Sequence, residues 1–318
     1  MFKYGIGVDV GGTTIKVALA DRDGNILYHH AAPTPTSGSA DVVHAVAALY
    51  RDVIFAIRDG RVGEDDPYFS VALAPGITVA IPGIVDETRG IGVYSINLGW
   101  RDCPMREMLE DALGRTVTLA HDVRSGAFAE YYWGNAERNS LYIALGTGVS
   151  AALIINGKPT AASPWAGEIG QIAVKNPDGE GMRTMEQIAS AAAIARRMRA
   201  TCPGSISEDA DARAVFRLAE HGNAEAERII ATACHELAKV ISSALHVLGP
   251  MPVIIGGGLS KAGETLLQPI RREIAELTPI LPEVEVRAAT LGAHSQVLGA
   301  VATTFAAIDR LTQLAFKH

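Results

Sequence analysis

The chain has 318 residues, of which 48% are hydrophobic and 20% charged, a composition that excludes a disordered protein and allows a substantial core. The formal net charge is −7 and no cluster of basic residues occurs, so we expect no nucleic-acid partner. The three cysteines are widely separated and the first predicted strand starts at residue 4. We therefore expect reduced thiols in a cytoplasmic protein without a membrane partner.

Three antiparallel strands are predicted over residues 4–33, separated by glycine-containing turns. The first strand brings Asp9 to the turn Gly11-Gly12-Thr13, and the second strand returns from that turn. Glycines in such a turn let backbone N–H groups approach an anion, and Asp9 is placed to hold a cation directly or through water. The same residues also fit a plain hairpin in which the aspartate caps the turn.

Helices and strands then alternate up to Asp122, which follows a buried strand and opens the next helix. A carboxylate in this position can accept the proton of a bound hydroxyl as that oxygen attacks a phosphate. An aspartate here also fits the helix N-cap. The elements predicted before it are a helix over 39–59, a strand over 70–81, a helix over 104–113 and a strand over 117–120.

A second strand–turn–strand is predicted at 141–155, around Gly146-Thr147-Gly148. Its Gly/Thr composition and small-residue return strand match the first, which indicates an internal repeat and two similar α/β halves. Most of 186–248 is predicted as helix. A third glycine cluster, Gly256-Gly257-Gly258, follows a buried strand at 253–255 and opens a helix. It leaves room either for a flat ligand or for a close contact between helix and strand.

These motifs, in this order, make the chain similar to the ROK family of bacterial sugar kinases, within the actin-like ATPase superfamily. Asp122 follows His121, where the family usually has Asn-Asp with the aspartate as base. The other motifs that carry the resemblance are Asp9-Val10-Gly11-Gly12-Thr13, Asn97-Leu98-Gly99-Trp100, Leu145-Gly146-Thr147-Gly148, Gly167-Glu168-Ile169-Gly170-Gln171, Met185-Glu186-Gln187-Ile188-Ala189-Ser190 and Gly256-Gly257-Gly258-Leu259-Ser260.

The resemblance implies an α/β fold of two actin-like (ribonuclease H-like) domains with a cleft between them. The N-terminal domain is expected over 1–121, joined by the C-terminal helix at about 300–318, and the C-terminal domain over 122–299. The implied activity is glucokinase-like: ATP-dependent phosphorylation of a hexose at the 6-hydroxyl, with ATP and Mg²⁺ as cofactors and a homodimer as the assembly.

Individual residues receive roles from the same resemblance. Asp122 is the expected catalytic base, and Asp9 is expected to hold Mg²⁺ through water. ATP and its phosphates are expected to contact Asp9, Gly11, Gly12, Thr13, Lys16, Gly146, Thr147, Gly148, Gly256, Gly257 and Gly258. The sugar is expected to contact Gly83, Asn97, His121, Asp122, Glu168, Gln171 and Glu186, because paired donors and acceptors recognise a polyol.

Several of the sugar-site residues also have a purely structural interpretation. Glu168 fits a surface loop carboxylate, and Glu186 fits a first-turn acid at a helix N-terminus. Gly83 fits a simple turn, and Asn97 fits a loop residue bonded to its own backbone.

The chain departs from the family where many members carry a structural zinc site of one histidine and several cysteines. It has Gln171 instead of the histidine, and no cysteine lies between Cys103 and Cys202. We therefore expect no zinc, with other packing ordering this loop. Gln171 still offers a donor and an acceptor to a hydroxyl, and His121 offers a ring nitrogen in place of an amide.

Substrate and role stay open at this point. The alternatives are N-acetylmannosamine or another hexose or N-acetylhexosamine as substrate, polyphosphate as donor, and a relative that senses sugar without turnover. A sugar-responsive repressor is disfavoured, because those family members carry an N-terminal DNA-binding domain and the first strand here starts at residue 4.

Overall fold

The structure is a computed structural model that describes residues 2–63 and 69–315. Its elements in chain order are β1 (Tyr4–Val10), β2 (Thr14–Asp21), β3 (Ile26–Pro33), α1 (Ser39–Arg58), α2 (Phe69–Ala72), β4 (Ile77–Ile81), β5 (Ile84–Asp86), β6 (Ile91–Ser95), β7 (Trp100–Cys103), α3 (Met105–Leu113), β8 (Val117–His121), α4 (Asp122–Tyr132), β9 (Ser140–Leu145), β10 (Val149–Ile155), β11 (Lys158–Thr160), β12 (Ala173–Lys175), β13 (Met182–Thr184), α5 (Met185–Ala189), α6 (Ala191–Thr201), α7 (Ala212–Glu220), α8 (Ala224–Leu248), β14 (Val253–Gly256), α9 (Glu264–Leu277), β15 (Val286–Ala288) and α10 (Ser295–Ala315).

The chain divides into two compact units. The first comprises the chain through Gly134, the segment Ala161–Trp165 and the chain from His294 onward, and the second comprises Asn135–Thr160 and Ala166–Ala293. The boundary expected from the sequence, between 121 and 122, lies one helix earlier. Helix α4 stays with the first unit because it packs along α10.

A five-stranded sheet with the order β3-β2-β1-β4-β8 forms the centre of the first unit. Strands β1, β2 and β3 are antiparallel neighbours, whereas β1, β4 and β8 run parallel. Helix α1 buries an apolar stripe that includes Val42, Val46 and Val53, as its helical spacing predicts. Helices α4 and α10 pack on each other, and α10 also packs along β1 and β4.

The second unit repeats this sheet. Its strand order is β11-β10-β9-β14-β15, again with three antiparallel strands followed by two parallel ones. Helices α5 to α9 contribute to one apolar core with this sheet, whose fully buried members include Ile143, Val253 and Ile255. The internal repeat predicted from the two glycine turns is therefore confirmed, and each turn joins the first two strands of its sheet.

Two sequence predictions for the first unit are wrong in detail. The strand predicted over 70–81 begins only at Ile77, because α2 occupies Phe69–Ala72. The segment 84–103, for which the sequence predicts no strand, contains a separate sheet with the order β5-β6-β7. Its strands have three to five residues each, too short for a period-two pattern to be distinctive.

No helix in the described part of the chain combines the length and apolar character needed to cross a membrane.

Candidate active-site residues

Asp9 is a buried carboxylate near the end of β1, with 5% of its surface exposed. It lies directly across the sheet from Lys16, and its Oδ2 is 3.7 Å from the lysine Nζ. Burial raises the pKa of Asp9 to about 6, although the charge and hydrogen bond of Lys16 act in the opposite direction. One lysine therefore compensates the buried carboxylate only in part, and a further cation would stabilise its charged form.

The turn that follows is closed through its carbonyl groups. Gly11 N–H donates to Thr14 O, the Thr34 hydroxyl donates to Gly11 O at 2.7 Å, and Thr34 N–H donates to Thr13 O. A Cβ atom placed on Gly12 would meet nothing within 4 Å. The fold itself therefore does not need a glycine at this position, and the missing side chain leaves the backbone open to a ligand.

Asp122 is the first residue of α4, at the parallel edge strand of the sheet. The N-cap of α4 is His121, whose Nδ1 accepts a hydrogen bond from Arg124 N–H at 3.3 Å. The N-cap interpretation of Asp122 is therefore wrong, because the preceding residue fills that role. The Asp122 carboxylate accepts from Val123 N–H at 2.7 Å, and its side chain keeps partial exposure to solvent.

His121 is buried, with 3% of its surface exposed. Burial and the nearby Arg124 guanidinium lower the pKa of His121 to about 3, while a hydrogen bond with the Gly83 backbone acts in the opposite direction. The ring is therefore neutral, and its Nδ1 is already occupied by the helix cap. Its backbone N–H is held by the Glu87 carboxylate at 2.8 Å, and Glu87 also pairs with Arg124 at 3.2 Å. In this conformation His121 fixes the start of α4 from behind Asp122.

Gly83 and Asn97 lie in turns next to the strands of the small sheet of the first unit. Gly83 has φ +90°, and a Cβ atom there would overlap the Tyr94 carbonyl oxygen, so the turn alone requires a glycine. Asn97 is exposed in the turn between β6 and β7, next to the exposed Ile96. Their expected sugar contacts stay predictions.

The second glycine turn is supported by Glu186. The turn closes through Gly146 N–H, which donates to Gly148 O at 3.0 Å. Glu186, in the first turn of α5, accepts a hydrogen bond from Val149 N–H at 3.1 Å. A Cβ atom on Gly148 would lie only 2.6 Å from the Glu186 Oε2. The glutamate therefore lies directly behind the turn, in addition to being a first-turn acid.

Glu168 is brought to the same strand, β10. Gly167 O accepts hydrogen bonds from Ala151 N–H at 2.8 Å and from the Ser150 hydroxyl at 3.1 Å, which aligns the segment along β10. Glu168 follows and precedes a short 3₁₀ helix, Ile169–Gln171. Within the second unit the structure thus gathers the turn and both candidate sugar carboxylates along β10, whereas the Gln171 side chain is exposed.

The glycines of the third cluster differ in how closely other atoms of the fold approach them. A Cβ atom on Gly256 would overlap the hydroxyl of Tyr142, and one on Gly257 would overlap Leu145 O, so close packing explains these two glycines. A Cβ atom on Gly258, in contrast, would meet nothing within 4 Å.

Gly258 opens into a cavity of about 460 Å³ between α7 and the 3₁₀ helix Gly258–Ala262. The cavity has an apolar part, with Phe216 and Leu259, and a cationic part, with Arg217 and Lys261. The sequence did not single out the residues of α7, because their helical spacing only indicates packing. The full lining is Ala191, Asp211, Ala212, Arg213, Phe216, Arg217, Glu220, Gly258, Leu259, Lys261 and Ala262.

An ion-pair cluster holds the β12–β13 hairpin, where zinc is expected to be replaced by other packing. Asp178 binds Arg197 through two hydrogen bonds of 2.5 and 3.0 Å, and Arg228 through one of 2.9 Å. Burial raises the pKa of Asp178, but the hydrogen bonds from Arg197 and Arg228 outweigh it and lower the pKa below its ordinary value. Arg197, 5% exposed, also donates to the Ile188 and Ile229 carbonyls and to the Thr232 hydroxyl.

The described residues contain no group of three or more His, Cys, Asp or Glu side chains that could enclose a metal ion. Asp9 nevertheless fits Mg²⁺, which commonly takes one or two protein carboxylates and completes its octahedron with water and substrate phosphates. The partly compensated charge of the buried Asp9 agrees with that donor set.

The two sheets of identical strand order define the class of the protein as a two-domain α/β protein with the actin-like fold. The model of the ROK family matches residues 5–306, and the chain belongs to this family.

Three relatives are similar to this chain over most of its length. The chain is 31% identical to the glucokinase of Halalkalibacterium halodurans over 317 residues, which covers 93% of each chain. It is 31% identical to the glucokinase of Thermotoga maritima over 318 residues, covering 93% of this chain and 95% of the relative. It is 28% identical to the N-acetylmannosamine kinase of Citrobacter koseri over 303 residues, covering 93% and 96%.

Two solved structures are similar over nearly the whole chain. The Streptomyces griseus ROK glucokinase in complex with glucose and AMPPNP has a TM-score of 0.77 at 25% identity, with 94% of this chain and 98% of that chain covered. The ROK hexokinase of Thermus thermophilus has a TM-score of 0.75 at 27% identity, covering 96% and 99%.

Proposed function

We propose that this chain is an ATP-dependent hexose kinase that transfers the γ-phosphoryl group to the 6-hydroxyl, with glucose as the first candidate substrate. The observation that carries the proposal is the duplicated strand–glycine turn–strand, because a Cβ atom would meet nothing within 4 Å on Gly12 and only Gly258 N, at 4.0 Å, on Gly146. Both turns therefore leave their backbone open to the approach of a phosphate group. Membership of the ROK family and the similarity to glucokinases support the same activity.

Asp122 acts as the general base. Its carboxylate takes the proton of the sugar 6-hydroxyl as that oxygen bonds to the γ-phosphorus, and the bond from the γ-phosphorus to the bridging oxygen breaks to release ADP. His121 and the Glu87–Arg124 pair hold the start of α4 and so keep Asp122 in one orientation. Because the His121 imidazole is neutral, it places no positive charge beside the Asp122 carboxylate. Asp9 would hold Mg²⁺, which supplies charge neutralisation on the β- and γ-phosphates.

The cavity beside Gly258 supports ATP over polyphosphate as the donor. Phe216, Leu259 and three alanines form an apolar surface suited to a base, and Arg217 and Lys261 provide charge for the ribose phosphates. An inorganic polyphosphate would make no use of that apolar surface.

Glu168, Glu186 and Gln171 are proposed to select the sugar through its hydroxyl groups, with Gly83, Asn97 and His121 as further candidates. The similarity to the N-acetylmannosamine kinase keeps an N-acetylhexosamine as the alternative substrate. The homodimer and the cytoplasmic location are predictions from family membership.

The test is an ADP-release assay with ATP, Mg²⁺ and a panel of hexoses and N-acetylhexosamines. We expect sugar-dependent turnover that falls about 10²–10⁴-fold in Asp122→Asn. Asp111→Asn, an exposed aspartate of α3, is the matched control and should keep full activity. Full activity of Asp122→Asn would refute the mechanism, and sugar-induced thermal stabilisation without ADP release would indicate a sensor instead.

A further inference from the structure

A second cavity in the second unit, of about 510 Å³, has no part in the proposed reaction. It lies between the β12–β13 hairpin and helices α5 and α6. Its lining contains three arginines and a single acidic side chain, although the chain as a whole carries a net charge of −7. The arginines are Arg183, Arg196 and Arg197, and the acidic residue is Asp178.

The one acidic group of this cavity is already saturated by cations. Asp178 accepts hydrogen bonds from both Arg197 and Arg228. All donor positions of Arg197 are used within the fold, so this arginine forms the floor of the cavity. Asp178 therefore cannot compensate two further guanidinium groups.

Arg183 and Arg196 are those two groups. Both are exposed, and among the described residues neither forms an ion pair. Arg196 donates one hydrogen bond, to the Gln187 carbonyl at 3.2 Å, which anchors the guanidinium at the cavity wall. Two cations that line one cavity repel each other, and a dianion that accepts hydrogen bonds from both would remove that repulsion.

We propose that this cavity binds a phosphate monoester on Arg183 and Arg196. The volume exceeds what a free phosphate needs and falls in the range of small-ligand pockets. Asn176, Gln187 and Thr201 also line the cavity; each hydrogen-bonds within the fold but keeps a further donor or acceptor position for a hydroxyl. A hexose phosphate, the class of product that the proposed kinase forms, meets both requirements. Only this choice of monoester rests on the proposed function.

The short helix α5 connects this cavity to the second glycine turn. Gln187 and Ile188 line the cavity, and the adjacent Glu186 accepts the hydrogen bond from Val149 N–H at the turn. A ligand that orders Arg183 and Gln187 therefore acts on the same single helical turn that positions Glu186. Occupancy of the cavity is expected to change the apparent KM for the sugar more than kcat.

The experiment is isothermal titration of the full chain with glucose 6-phosphate and, separately, with inorganic phosphate, each in the presence of saturating AMPPNP. The nucleotide analogue occupies the phosphate turns of the proposed active site. We expect glucose 6-phosphate to bind more tightly than phosphate, and at least a tenfold loss of affinity in the double variant R183Q/R196Q. Arg272→Gln, another exposed arginine of this unit, is the matched control and should bind normally.

Unchanged affinity in the double variant would overturn the proposal, as would binding that disappears when AMPPNP is added. Tighter binding of phosphate than of the sugar phosphate would overturn the assignment of the monoester. The ADP-release assay tests the proposed kinase activity independently of ligand binding in this cavity. A chain without kinase activity can still bind the monoester through Arg183 and Arg196, and an active kinase can fail to do so.

Discussion

Glu186 accepts a hydrogen bond from the backbone N–H of Val149, at the residue where the second glycine turn becomes strand β10. A residue proposed to bind the sugar therefore also touches the turn proposed to bind phosphate. The two functions of the second unit share one side chain, and a change at Glu186 is expected to affect both substrates.

Replacing Glu186 with glutamine tests this coupling. The amide keeps an oxygen for Val149 N–H but loses the charge. A hydrogen bond to a charged group contributes about 1.5–3 kcal/mol, against about 1 kcal/mol for a neutral one. We expect the sugar KM to rise at least tenfold, with a smaller rise for ATP and little change in melting temperature. Steady-state kinetics with each substrate varied provide the measurement. Glu107→Gln, at an exposed first-turn position of α3, should leave both KM values unchanged.

His121 predicts a pH dependence of stability. Its pKa is lowered to about 3 in the folded chain, against 6.5 for an ordinary histidine, so the unfolded chain binds the proton more readily. The stabilisation is complete above pH 6.5 and is lost as the pH falls toward 3, by about 1.4 kcal/mol of unfolding free energy per pH unit. Urea titrations at several pH values would measure this slope.

His121→Asn is the comparison for that slope. Asparagine can cap α4 but does not titrate, so the variant should lose this part of the acid sensitivity. A slope identical to that of the wild type would assign the acid sensitivity to other groups.

Asp178→Asn tests the ion-pair cluster at the β12–β13 hairpin. The variant leaves the buried Arg197 guanidinium without its charged partner, which costs about 3 kcal/mol or more and should lower the melting temperature. Glu264→Gln, which breaks an exposed pair with Arg271, should cost less than about 1 kcal/mol. Equal losses in the two variants would show that Asp178 does not anchor the hairpin.

Metal removal provides an independent test of the same loop. Because the hairpin is held by Asp178, Arg197 and Arg228, dialysis against EDTA should leave the melting temperature unchanged. Stoichiometric zinc in the purified protein, or a lower melting temperature after dialysis, would contradict this expectation.

Substitutions at two of the glycines distinguish a role in packing from a role in ligand binding. Gly256→Ala places a methyl group against the buried Tyr142 hydroxyl and should destabilise the fold by about 1–3 kcal/mol. Gly12→Ala meets no atom of the fold, so stability should change by less than about 0.5 kcal/mol, whereas the KM for ATP should rise. Thermal unfolding and ATP kinetics of both variants separate packing from ligand binding. A normal KM for Gly12→Ala would argue against phosphate binding at the first turn.

The repeat, the glycine turns and the position of Asp122 at a helix start could all be predicted from sequence, because each is encoded within a few adjacent residues. The interactions that hold the site residues in place could not be predicted from the sequence. Asp178 meets Arg197 and Arg228 across 19 and 50 residues of chain, and no local pattern specifies such pairs. Phe216, which lines the cavity beside Gly258, lies on α7. The spacing of apolar residues in α7 predicts a helix face packed in the core but not a cavity. The burial of His121, which leaves its ring neutral, arises from the packing of the fold around it, and its backbone N–H bonds Glu87, 34 residues away in the chain.

Helix α10 completes the first unit: the Thr304 hydroxyl bonds the Thr78 hydroxyl at 2.8 Å and the Ile6 carbonyl at 3.1 Å, deep under the first sheet. During synthesis the strands of this sheet emerge from the ribosome before the second unit, yet the helix that covers them is translated only after that unit. The second unit, which ends at Ala293, can close its core before that. The half that is translated first is thus expected to finish folding last, and its uncovered sheet is the surface that chaperones would meet on the nascent chain.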